Sequence, residues 1–192
     1  MATCANLVLL CLITCFVHQL LHLQPQLPPA VSALTTMADK SEIFTVYQHD
    51  TLNETGYVVV TGPAGADSTD TTRPFGTIYV FRDDLTLHSD SSSEPVGVME
   101  GTSTTTSFDG LRNLLAAKIT LRHRGYRGSL SVLGGTHNTK PSVYPVVGGT
   151  GDFLYTEGYV RSTPLDSEGP TVTNRLEINL YWPPYVKYAP TP

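Results

Sequence analysis

Short segments in which apolar and polar residues alternate recur along the chain from residue 42 to residue 182. Alternation puts successive side chains on opposite faces of a strand, so each segment predicts β-structure. The clearest segment is 171–182, where every second residue from Val172 to Trp182 shares one face. The predicted strands span residues 42–50, 58–60, 76–83, 96–100, 114–124, 128–134, 153–160 and 171–182.

About eight short strands without a dependable helix predict an all-β fold. Segment 114–124 begins with good helix formers, but Ile119, Thr120 and Leu121 favour a strand there. An eight-stranded antiparallel β-barrel pairs every strand edge and leaves room inside for one small ligand. We therefore predict that barrel, with a β-sandwich as the alternative. The hydroxyl-rich stretch 102–107 is too small to fill a core, which favours an internal cavity.

The glycine-rich stretch 145–151 lies near the centre of the predicted sheet and leads into alternating residues from Phe153 to Val160. Glycine reaches positive φ and permits close backbone approach, so this stretch predicts a turn that leads directly into a strand. The long segment 61–74 is rich in Gly, Thr, Asp and Pro, and we expect a surface loop there. Loops of this length often border binding sites.

Residues 1–33 resemble a secretory signal peptide, with an apolar run followed by prolines and the small-x-small site Val31, Ser32 and Ala33. A membrane anchor is the alternative. Residues 34–192 would then form one domain that is secreted to the extracellular space or cell wall and has no membrane association after cleavage. All three cysteines lie in the leader, so the mature domain would have neither a disulfide nor a thiol nucleophile.

Composition argues against several classes of function. The formal net charge of −5 belongs wholly to residues 34–192, whereas a nucleic-acid surface calls for a basic stripe. The histidines have no zinc-site spacing, and neither a phosphate loop nor a nucleophile elbow is present, so we predict no metal and no cofactor. Asn53 begins the sequon Asn53-Glu54-Thr55 and is a candidate glycosylation site.

The acidic residues offer one candidate for proton transfer. Asp50 shares a predicted strand face with Phe44 and Val46, so its carboxyl would be desolvated and its pKa raised towards neutrality. Asp83 and Asp84 point to opposite faces because they are adjacent on a strand. They come where a turn is predicted to begin, and we interpret both as turn-capping residues.

Several motifs taken together resemble the plant dirigent family, and the resemblance covers essentially the whole secreted portion. They are YQHDTLNET, PFGTIYVFRDDLT, VGVMEGTS, GSLSVLGGTHNTKP and PVVGGTGDFLYTEGYV. The closing NLYWPPY is similar to the branch called dirigent-like. The resemblance implies a secreted, glycosylated barrel, either a homodimer or a homotrimer, whose pocket binds phenolic molecules. A separate laccase or peroxidase would generate phenoxy radicals of the monolignol type, and the pocket would impose regio- and stereoselective coupling in lignan biosynthesis.

By the same resemblance, Asp50 matches the Asp of the family's His-Asp motif and is the expected catalytic residue. Ser103 and Thr136 are the expected substrate-binding residues, and they stand where lignan-forming members have a Tyr and an Asp. A second acid is therefore expected to be missing, and segment 140–144 lacks the family's Arg. Two alternatives remain: a dehydratase similar to pterocarpan synthases that acts through a quinone methide, and a wall or defence protein that binds phenolics or glycans without catalysis.

Overall fold

The computed structural model describes residues 40–168 and 170–184, and these residues form nine β-strands. The strands are β1 (Lys40–Thr51), β2 (Gly56–Val60), β3 (Ile78–Thr86), β4 (Pro95–Thr105), β5 (Arg112–His123), β6 (Tyr126–His137), β7 (Ser142–Gly151), β8 (Glu157–Glu168) and β9 (Thr171–Trp182). No helix long and apolar enough to cross a membrane occurs within those described ranges. The predicted leader, residues 1–33, lies outside them.

Eight of the strands close into an antiparallel barrel. Hydrogen bonding runs in the order β1, β9, β8, β7, β6, β5, β4 and β3, and a further pairing between β1 and β3 closes the ring. The predicted eight-stranded antiparallel barrel is therefore confirmed. Predicted strand 114–124 is β5, and the predicted segments 96–100 and 102–107 join into β4.

Strand β3 has two partners in succession along one edge. Residues 47–49 of β1 pair with residues 84–86, and β2 then pairs with residues 78–81. The predicted strand 58–60 is thus a continuation beside β3 and not one of the eight strands that close the ring. Residues 53–55 form a turn between the two pairings, and Asp50 directly follows the last residue of β1 that pairs with β3.

Two predictions are wrong here: the glycine turn at 145–151 and the single strand from Phe153 to Val160. The glycine stretch belongs to β7, residues 152–156 form a turn, and β8 begins only at Glu157. Gly151 and Tyr155 both have positive φ, at 61° and 63°. Phe153 is fully buried because it fills one end of the barrel, so its place in the alternating pattern does not reflect a strand face.

An aromatic cluster closes the end of the barrel where β1 begins and β9 ends. Phe44 makes edge contacts with Tyr126 and Phe153 at centroid distances of 5.3 and 5.9 Å, and Tyr126 stacks on Trp182 at 5.8 Å. Complete burial of one such side chain contributes about 1.5–3 kcal/mol to folding. The apolar core therefore fills one end of the barrel, and a cavity lies at the other.

Candidate functional site

The opposite end of the barrel contains a cavity of about 600 Å³. Its floor is largely apolar, with Phe81, Met99, Leu115 and Tyr144 on four different strands. A mainly polar collar of hydroxyls and amides surrounds the space above the floor; it includes Thr77, Ser103, Thr105, Asn113, Thr136, Ser142, Ser162 and Asn174. Such a cavity suits a ligand with an aromatic ring and a polar end.

All three residues predicted for the site line this cavity. Asp50 comes from β1, Ser103 from β4 and Thr136 from β6. Ser103 is directly opposite Tyr79 on one side and Leu115 on the other, in the ladders that join β3, β4 and β5. The barrel thus brings together three residues that are far apart in the sequence.

Asp50 is held by a tyrosine. The Tyr79 hydroxyl donates to Asp50 Oδ1 at 2.6 Å. Burial raises the pKa of Asp50, whereas the hydrogen bond from Tyr79 and the charge of Arg73 oppose that rise. Burial also raises the pKa of Tyr79, and the charge of Asp50 adds to this effect, so Tyr79 acts as a donor to the carboxylate.

A second acid, Asp83, lies deeper on β3 and is fully buried. Gln48 Nε2 donates to Asp83 Oδ2 at 2.6 Å, while Oδ1 has no hydrogen-bond partner among the described residues. Burial, followed by the negative charge of Asp50, raises the pKa of Asp83 to about 7. Two carboxyls whose negative charges repel each other do not both ionise readily. Near neutrality the pair of Asp50 and Asp83 therefore tends to retain one proton.

This arrangement corrects one expectation from the sequence. Asp83 does not cap a turn, because β3 continues to Thr86 and keeps Asp83 on the inward face between Phe81 and Leu85. Only Asp84 points outwards. The acid that the resemblance places after the hairpin glycine is absent here, where Thr136 stands, and Asp83 is a different buried acid that the resemblance did not name. An aspartate on an apolar strand face was the signal that could have identified it.

Two other residues of the predicted motif lie outside the cavity. His49 faces outwards, with Nε2 at 2.7 Å from Thr86 Oγ1, and burial lowers its pKa. Asn53 is exposed in the turn between β1 and β2, where its φ is 64°. An Asn in the left-handed region is common in tight turns. The side chain is accessible, and its glycosylation stays a prediction.

The loop between β2 and β3 covers part of the cavity mouth, as expected for residues 61–74. It contributes Asp70, Thr71 and Arg73 to the lining. The loop is tied to neighbouring turns, since Asn138 Nδ2 donates to the Thr71 carbonyl at 2.6 Å and Ala66 N donates to the Phe108 carbonyl at 2.9 Å. Arg73 was not identified from the sequence, because nothing in the loop's composition indicated which side chain would face inwards.

Comparison with known proteins identifies similar sequences and folds. A family model described as dirigent-like protein matches residues 42–182. A dirigent protein from Sinopodophyllum hexandrum is 31% identical over 135 residues, which is 69% of this chain and 69% of that protein.

Two solved structures of pterocarpan synthase dirigent proteins have a similar fold. PsPTS1 has a TM-score of 0.67 at 22% identity and covers 74% of this chain and 96% of its own. GePTS1 has a TM-score of 0.68 at 21% identity and covers 83% of this chain and 98% of its own. At these identities the likeness shows a shared barrel.

Proposed function

Because this chain belongs to the dirigent family, we propose that its cavity binds monolignol-type phenoxy radicals and directs their coupling to one product in lignan or related phenylpropanoid synthesis. The observation that carries the proposal is the position of Asp50, hydrogen-bonded to Tyr79 and set in the collar above an apolar floor. An aromatic ring fits the floor between Phe81 and Met99. The collar then holds the propenyl side chain close to the acid.

The oxidation is carried out by another protein. A laccase or peroxidase removes one electron and one proton from each phenol, and the two radicals combine their unpaired electrons in one carbon–carbon bond. The product is a quinone methide. A hydroxyl oxygen then adds to the methide carbon and loses its proton, while the quinone oxygen gains one. Asp50 is suited to carry that proton, because its pKa is raised by burial. The cavity selects the product by orientation, since radicals couple readily without help.

The acid pair favours a second candidate, which is a dehydratase similar to pterocarpan synthases, and pterocarpan synthase is the name that both similar structures carry. Asp83 has a pKa of about 7, so the pair keeps a proton available near neutrality. In this reaction the leaving hydroxyl takes a proton and departs as water, and a phenol of the same molecule loses its proton to form the quinone methide. The oxygen of a second phenol group in that molecule then adds to the methide carbon and loses its proton, while the quinone oxygen gains one. The sum is the loss of one water.

Product analysis distinguishes the candidates. Purified protein is incubated with a laccase and coniferyl alcohol, or with an isoflavanol alone, and the products are resolved on a chiral column. We expect an excess of one dimer enantiomer with the laccase and no consumption of monolignol without it. Turnover of the isoflavanol without an oxidase would establish the dehydratase instead. Racemic dimers from every monolignol tried, together with an inert isoflavanol, would leave only a non-catalytic binding barrel.

The test of Asp50 uses Asp50→Asn with Asp84→Asn as its matched control, because Asp84 points away from the cavity. Asp50→Asn is expected to abolish selectivity or turnover while circular dichroism shows an unchanged barrel. Asp84→Asn should behave like the natural protein. Identical product ratios for all three proteins would reduce Asp50 to a structural residue.

The proposal also covers location and assembly. It places the protein outside the cell, glycosylated at Asn53, as a homo-oligomer. Assembly is supported by apolar side chains on the outer wall of β5 to β8, where Leu133 is 45% exposed and Val143 is 52% exposed. Light scattering after gel filtration would report a dimer or trimer, and Leu133→Asp is expected to shift that species to monomer. A natural protein that elutes as a monomer at micromolar concentration would overturn this part.

A further inference from the structure

Arg73 is a half-buried cation at the cavity mouth, and it forms no ion pair with a carboxylate of the described residues. Four other arginines each lie within 4.0 Å of an acid: Arg82 with Glu100, Arg112 with Asp109, Arg124 with Glu42 and Arg175 with Glu177. The remaining three described arginines, Arg122, Arg127 and Arg161, also lack such a pair among the described residues, but they are exposed to solvent. Within the described part of the chain, Arg73 makes no such pair. Its side chain lines the cavity beside Thr71. An arginine that is partly withdrawn from water without a direct ion pair is suited to receive an anion.

The guanidinium is held in place by the backbone of its own loop. Its Nη1 atom donates to the carbonyl oxygens of Thr69 and Thr72, the latter at 2.7 Å. Arg73 N donates to the Gly110 carbonyl at 3.3 Å, which ties the same residue to the turn before β5. A guanidinium has five N–H donors, and since no described residue accepts from Nη2 or Nε, these two atoms remain for a ligand. Because the guanidinium is already held in place before binding, less entropy is lost when a ligand binds.

The charge of Arg73 acts inside the cavity. It lowers the pKa of Asp50, in opposition to burial, and it lowers the pKa of Tyr79 in the same way. The other ionisable side chains that line the cavity are Asp70 and His137 at the rim and Tyr144 at the floor. Arg73 is therefore the one permanent cation among the described residues of the lining.

We propose that Arg73 forms an anion subsite, and that this pocket takes a phenol whose side chain ends in a carboxylate in preference to the neutral alcohol. The inference rests on the proposed function, because it assumes a phenolic ring on the floor. Phe81 lies two residues below Tyr79, about 7 Å along the strand. A ring on this floor directs its side chain past Asp50 towards the mouth, where Arg73 lies. The two oxygens of a carboxylate can accept two parallel hydrogen bonds from the planar guanidinium of an arginine.

The test compares two probes that differ only at the end of the side chain. Ferulic acid carries a carboxylate where coniferyl alcohol carries a hydroxymethyl group, and both are titrated calorimetrically into the natural protein and its variants at pH 7. We expect the natural protein to bind the acid at least about tenfold more tightly than the alcohol, in the range of a charge-assisted pair. Raising sodium chloride from 50 to 300 mM should weaken binding of the acid and leave that of the alcohol unchanged.

The variants separate charge from shape. Arg73→Gln is expected to lose the preference for the acid while binding the alcohol as before. Arg73→Lys should keep part of it, because lysine retains the charge without the fork. Arg82→Gln is the control, since Arg82 lies on the outer wall beside Glu100. Should Arg73→Gln fail to fold, Arg73→Lys and the salt series on the natural protein still decide the matter.

Each outcome has a distinct meaning. Equal affinity for acid and alcohol in the natural protein would overturn the anion subsite and leave the proposed function intact. An equal loss of both affinities in Arg73→Gln would also overturn it, because Arg73 would then only support the loop. Failure of the natural protein to bind either probe would overturn the proposed function and this inference together.

Discussion

Replacing Asp83 with asparagine is expected to change how the stability of the barrel depends on pH. The carboxyl has a pKa of about 7 in the folded protein, compared with an ordinary value of 3.8. Between these values the unfolded chain has released the proton and the folded chain still holds it. Raising the pH through this window therefore favours the unfolded state, so stability falls from about pH 4 to about pH 7 and then levels off. The total change attributable to Asp83 is about 4 kcal/mol, at about 1.36 kcal/mol for each pH unit.

The measurement is urea unfolding at half-unit steps from pH 4 to pH 8. Trp182 is the only tryptophan in the chain and is 1% exposed, so its fluorescence reports loss of the closed end. Asparagine binds no proton here, so Asp83→Asn should lack most of the slope. The constant penalty of a buried amide, about 1–3 kcal/mol, offsets the whole curve and does not alter its slope.

Asp84→Asn is the control, because this neighbouring carboxyl is exposed. It should follow the natural protein with only a small offset. Parallel stability curves for Asp83→Asn and the natural protein across pH 4 to 7 would refute the assignment of Asp83 as a carboxyl that stays protonated in the folded state. Burial of Asp50 acts in the same direction, so only the difference between the two curves isolates Asp83.

Three other substitutions test the barrel and its cavity. Gly149→Ala should lower stability by about 1–3 kcal/mol, because a Cβ would lie 2.1 Å from the Phe153 carbonyl oxygen, whereas Gly148→Ala, with open space around its Cβ, should be near neutral in urea unfolding. Ser103→Phe should fill the cavity and weaken phenol binding at least tenfold by calorimetry, without lowering the melting temperature. Phe44→Ala should cost about 3–5 kcal/mol by removing a side chain from the closed end, and the protein that stays folded should bind phenols normally.

Strand alternation was sufficient to predict most of the fold. The pattern around Asp50 placed this residue on the inward face, and the structure has it lining the cavity. The pattern failed where burial had another cause. Phe153 is buried because it fills the end of the barrel, so the alternating residues around it were mistaken for a strand.

The site was only partly predictable, because its remaining members depend on strand ends and loop folding. Asp83 was missed because the end of the strand was placed at that residue, whereas β3 continues for three more residues. Its environment also depends on Gln48 and Asp50, which belong to another strand. Arg73 was missed because a long loop can fold over either side of a barrel mouth, and contacts such as that of Asn138 with Thr71 decide which side.

By itself, the sequence determined the local properties of this protein: the period of two that makes strands and the inward direction of Asp50. These follow from the backbone and from nearest neighbours along the chain. Only the tertiary structure decided that the charge of Asp50 acts on the buried Asp83, that Tyr79 donates to Asp50, and that Arg73 lines the same cavity as Asp50. Desolvation and charge coupling depend on distances in space between strands, and those distances exist only once the barrel has closed.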